Sequence, residues 1–72
     1  MPFTKDQIAD IFTYHDVPDA VPHYEAIRAK ARELAEVIVE HTPVCPDQSV
    51  AIRKLREAVM TANAAIALEG KF

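Results

Sequence analysis

The sequence predicts an all-α protein: an antiparallel hairpin of two long helices, preceded by a short N-terminal helix and completed by assembly with copies of itself. Three observations carry this. Two stretches of about 20 residues repeat apolar side chains at helical spacing, a short proline-rich segment separates them, and the 72-residue chain contains one glycine. So little glycine argues against the many tight turns of a β-rich fold. Seventy-two residues make a single domain, 1–72, near the size at which one core becomes marginal and oligomerisation often supplies the missing burial.

The first helix is signalled by Thr4-Lys-Asp-Gln7, a capping box in which Thr4 caps and Gln7 reaches back. Ile8, Ile11 and Phe12 then give an apolar face to a helix over residues 5–13, with Phe3 placed to staple onto Ile8. Tyr14 to Ala20 reads as a loop. The residue before Pro18 is biased away from helix, and Asp16 and Asp19 suit turns or caps.

The second helix is expected from Ala20 or Val21 to His41, about 21–41, with Pro22 in its first turn, where a missing N–H is harmless. Tyr24, Ile27, Ala31, Leu34, Ile38 and His41 follow the alternating three- and four-residue steps of a helix-packing seam. Thr42-Pro-Val-Cys-Pro46 ends it, and Pro46 can open the next helix with Cys45 at the capping position. The third helix, 46–68, carries the stripe Ile52, Leu55, Val59, Ala62 and Ile66. From Ala58 to Leu68 only Thr61 and Asn63 are polar. A helix apolar nearly all round cannot be covered by one partner helix. Val37, Val39, Val50, Met60 and Leu68 also fall outside both seams, which predicts an apolar surface large enough to drive association.

Composition excludes several functions. A formal charge of −3 argues against binding DNA or RNA through a broad basic face. A single cysteine cannot form an internal disulfide and suits a reducing cytoplasm. No signal peptide is visible, and the 11-residue apolar run ending at Leu68 is too short to span a bilayer. Catalysis finds no support: there is no triad spacing, glycine-rich phosphate loop or pair of carboxylates on a rigid face, and no cofactor is implied. His41 and Cys45 flank the hairpin loop and are both of metal-binding type, but two ligands without a second pair make only a weak zinc signal. Asn63, among alanines, is read as a residue that fixes register between helices.

Two features are candidates for ligand binding. Arg28, Lys30 and Arg32 cluster in the first half of the second helix, where their charge adds to the positive end of the helix dipole and suits a phosphate. Alternatively they are solvated charges, or partners of Glu residues on a neighbouring subunit. Tyr14 and His15 sit beside that helix start. Tyr14 either stacks on a nucleobase or packs the short helix onto the hairpin. Tyr24 lies on the seam and is read as core.

The segments Phe12-Thr-Tyr-His15, Tyr24-Glu-Ala-Ile-Arg28, Arg32-Glu-Leu-Ala35, Pro43-x-x-Pro46 and above all Leu55-Arg-Glu-Ala-Val-Met-Thr-Ala-Asn-Ala-Ala-Ile-Ala67 resemble the hairpin domain of phage anti-CBASS sponge proteins, which one type of anti-Thoeris protein shares. The resemblance covers residues 12–68. It implies a non-enzymatic helical homohexamer in the host bacterial cytoplasm. Such an assembly binds cyclic dinucleotides, and cyclic trinucleotides in some members, so that the CBASS effector is not activated. It also implies a stacking role for Tyr14, beside His15, and a phosphate role for one of Arg28, Lys30 and Arg32. Thr61 stands where the pattern often has Trp. Leu68 follows Ala67 where the pattern carries a basic residue, which leaves Lys71 as the substitute cation for a trinucleotide. The competing class is a small helical interaction module without a nucleotide ligand. It explains the apolar surplus equally well and leaves Tyr14 and the basic cluster without a purpose.

Overall fold

The computed structural model describes residues 3–13 and 19–70 and contains three helices in chain order: α1 (Lys5–Ile11), α2 (Ala20–His41) and α3 (Pro46–Ala67). The capping box is present in both directions. The Gln7 backbone N–H donates to Thr4 Oγ1 at 3.1 Å, and the Thr4 N–H donates to Gln7 Oε1 at 2.9 Å. α1 stops two residues before its expected end. Phe12 leaves helical geometry as the C-cap, and the Thr13 hydroxyl bonds back to the Ala9 carbonyl at 2.8 Å. Phe3 and Ile8, expected to staple together, are both exposed.

α2 begins at Ala20, one of the two starts expected from the sequence, with Asp19 in the left-handed region at φ 61. It ends at Thr42, whose extended backbone is what the following Pro43 demands. Gln48 then closes the loop by donating to the Thr42 carbonyl (3.2 Å) and hydroxyl (3.1 Å). Pro46 is the first residue of α3 and Cys45 its cap residue, without a side-chain cap bond. At the far end the Gly70 N–H bonds to the Ala65 carbonyl and the Glu69 N–H to the Ile66 carbonyl, a Schellman closure. Its left-handed position is held by Glu69 (φ 56) rather than by the glycine usual there.

α2 and α3 run antiparallel and pack along one seam. On α3 the half-buried residues include Ile52, Leu55, Val59, Ala62 and Ile66, as their spacing predicts. On α2 the seam drifts. Tyr24, Ile27, Ala31 and Ile38 are half-buried, but Leu34 is 48% exposed and His41 is exposed, while Ala35 takes the inner position. A straight helix of 3.6 residues per turn slips about 20° per heptad against a 3.5-residue repeat, so the strict alternation does not survive three heptads. Leu68, expected on the outer surface, is instead buried (7% exposed) in the turn that ends α3.

This hairpin does not enclose a core. Only Ala20, Ala67 and Leu68 are buried among the described residues, and no large side chain there is completely enclosed. The molecule measures 46 × 33 × 12 Å, one helix thick. Its radius of gyration is 15.6 Å, against about 11 Å for a compact domain of this length. Its surface is 5976 Å², whereas a folded monomer of 8.0 kDa should expose about 4,450 Å². The surplus of about 1,500 Å² exceeds the ~800 Å² that each partner gives to a standard interface.

Candidate functional site

Two antiparallel helices have a crevice on each side of their seam, and here the two crevices differ in chemistry. Helical steps of three and four put Ala26, Lys30 and Leu34 on one side of the α2 seam and Arg28, Arg32 and Ala35 on the other. On α3 they likewise separate Ala58 and Ala62 from Ile52 and Arg56. The first side is a groove of about 510 Å³ whose walls are apolar apart from the Lys30 stem. The second side is a crevice with an apolar floor and a rim of Arg28, Arg32 and Arg56. It continues towards the open end of the hairpin into a hollow of about 420 Å³ lined by Tyr24, Arg28, Met60, Asn63, Ala64 and Ala67.

The three basic residues singled out in the sequence are therefore not one cluster. Lys30 faces the apolar side, and its Nζ lies 3.2 Å from Glu33 Oε2. Arg32 lies on the cationic side with its Nε 3.5 Å from Glu36 Oε1. Both pairs are solvent-exposed, so each is worth well under 1 kcal/mol after screening, but each places an acid beside the cation. Arg28 has no ion pair among the described residues; it lines both parts of the cationic crevice and, on its outer side, a shallow hollow shared with Glu25, Glu33 and Glu36. Its planar guanidinium presents donors in a fork that matches a phosphate.

Two residues that the sequence placed in other roles also line the hollow at the open end of the hairpin: Tyr24, read as core, and Asn63, read as fixing register. Tyr24 is half-buried and lines the hollow together with Arg28. Asn63 lines the same hollow, and its Oδ1 is buried without a hydrogen-bond partner among the described residues. The available signal was angular: counted round their helices, Arg28 and Asn63 project to the same side of the seam. Tyr14, His15 and Lys71 lie outside the described residues. No three His, Cys, Asp or Glu side chains come together as a metal site among the described residues. No helix among them is long and apolar enough to cross a membrane.

An aromatic residue, an arginine and a carboxamide thus line one open hollow on a hairpin too thin to bury its own seam. A family model described as Acb2/Tad1, hairpin domain, matches residues 4–67, and the chain belongs to that family of anti-CBASS sponge and anti-Thoeris proteins. No curated protein and no solved structure matches the chain.

Proposed function

We propose that this protein is a phage anti-defence sponge that binds cyclic dinucleotides in the host cytoplasm and withholds them from the CBASS effector, without catalysing any reaction. The reading is carried by one observation: across a hairpin matched to this family from end to end, Arg28 is the basic residue that rims the open hollow without an acidic partner among the described residues. Arg28 is accordingly the phosphate ligand, ahead of Lys30 and Arg32, and Tyr14 is the stacking residue. A cyclic dinucleotide has two phosphates and two bases, which one Arg28 and one Tyr14 cannot serve. Two subunits about a two-fold axis supply both contacts twice. The surface surplus supports a homo-oligomer, and a hexamer is the assembly the family implies. A cyclic trinucleotide would need a further cation at the end of α3. Leu68 is apolar and buried there, which leaves Lys71 for that role.

Calorimetric titration with a panel of cyclic dinucleotides tests the proposal. Binding by the wild type, weakened by about two orders of magnitude in Arg28→Ala with the oligomer intact, is the expected result, because each charge-assisted phosphate contact is worth roughly 1.5–3 kcal/mol and symmetry doubles the loss. A wild type that binds no cyclic nucleotide at all would instead leave a protein interaction module.

A further inference from the structure

Asn63 presents an anomaly that the single hairpin leaves unexplained. Its Oδ1 is turned inwards, buried with no donor among the described residues, while the residue itself lines the hollow together with Tyr24 and Arg28. Buried polar groups in folded proteins are almost always paired, so an orphan acceptor calls for a partner from outside the chain. The surrounding walls say what kind. Tyr24 supplies a ring face, Met60 a deformable thioether side chain, Ala64 and Ala67 a low floor, and Arg28 a phosphate contact at the rim. That is the surrounding of a nucleobase attached to a bound phosphate. We infer that Asn63 reads the base: with its carboxamide turned towards the hollow, Oδ1 accepts from the 6-amino group of adenine while Nδ2 donates to a ring nitrogen beside it.

The rotation needed is small in cost, because the terminal torsion of asparagine is broad and the free state has no hydrogen bond on Oδ1 to break. Adenine fits through its N6/N7 edge, which sets a donor and an acceptor side by side, the arrangement a carboxamide meets in bidentate fashion. Guanine shows two acceptors, O6 and N7, on the corresponding edge, and pairs with the carboxamide only by turning its N1–H/O6 edge into the hollow instead. The ligand class that follows is the adenine-containing cyclic dinucleotide. The inference rests on the sponge reading, and its test separates the two.

The oligomeric wild type and Asn63→Leu are titrated calorimetrically with cyclic di-adenylate, its 6-desamino purine analogue and cyclic di-guanylate, with light scattering and thermal melting alongside. The wild type should bind cyclic di-adenylate about tenfold or more tightly than either other ligand, the size of one good base-edge pair. In Asn63→Leu that preference should fall to about threefold or less, with the oligomer retained and the melting temperature unchanged or raised, since an orphan acceptor has been removed. Equal binding of the three ligands by the wild type overturns the inference and leaves the sponge reading standing; this arm needs no variant. A preference that persists in Asn63→Leu overturns it too. So does dissociation of that variant, which would place the missing donor on a neighbouring subunit. A wild type that binds none of the three removes the sponge reading and this inference together.

Discussion

The two sides of the α2/α3 seam share their floor and differ in their walls. Ala31, Leu55 and Val59 reach both crevices, yet one side is walled by Ala26, Leu34, Ala58 and Ala62, the other by Arg28, Arg32 and Arg56. Small apolar walls let another backbone approach and gain from losing water. Guanidinium walls resist desolvation unless an anion comes with them. A hairpin one helix thick can thus hand one side to assembly and keep the other for ligand, with a single layer of side chains serving both.

The sharpest way to break this comparison is to make the apolar side charged. Ala58→Glu should dissociate the oligomer and, because the isolated hairpin buries so little, unfold it. Burying an unpaired carboxylate at an interface costs several kcal/mol. Light scattering and far-ultraviolet circular dichroism report both effects, and a folded oligomer of wild-type mass would refute the assignment of that side. A matching charge on the other side, Arg56→Glu, should leave the mass unchanged while weakening ligand binding through the lost positive field.

Next in size is the loss of Arg28. Arg28→Ala should cost about a hundredfold in cyclic dinucleotide affinity with no change in oligomeric mass, and Tyr14→Ala should do comparable damage if it stacks on the base. Lys30→Ala sharpens the contrast. Lys30 lies on the apolar side and is held by Glu33, so its removal should change affinity by about threefold or less. Should Lys30→Ala abolish binding while Arg28→Ala binds normally, the two sides have been assigned the wrong way round.

The smallest expected effect lies outside both sides. Glu69 holds a left-handed conformation at φ 56 in the turn that closes α3. Glu69→Gly should raise stability by about 0.5–1 kcal/mol through relief of that backbone strain, without altering mass or affinity. Denaturant unfolding of the assembled protein at fixed concentration measures it. A change in ligand affinity would show that the α3 terminus belongs to the site.

Legibility in the sequence varied by residue and for physical reasons. Thr4 and Gln7 announce α1 because a capping box is a local contact between residues three apart. Pro43 and Pro46 bracket the hairpin loop because their restrictions act on their own backbone and that of the preceding residue. The α3 stripe was readable because its steps of three and four hold whatever it packs on. The α2 stripe misled at Leu34 and His41, since both it and the alternative through Ala35 satisfy local spacing; only packing against α3 chooses between them. Leu68 misled because its surroundings lie outside the hairpin seam: it borders a hollow with Ile11 and Phe12, far away in sequence.

By itself, then, the chain's sequence determined the helices, the sharp reversal between them, the apolar surplus and the family, all consequences of short-range spacing or of a motif spread over α3. Tertiary structure decided which charges share a side. Arg28, Lys30 and Arg32 lie within five residues of one another, yet successive helical positions turn by about 100°, so two of them flank one crevice and the third the other. It also joined Tyr24 and Arg28 to Asn63, far apart along the chain, because only the antiparallel pairing of α2 with α3 lays those turns side by side.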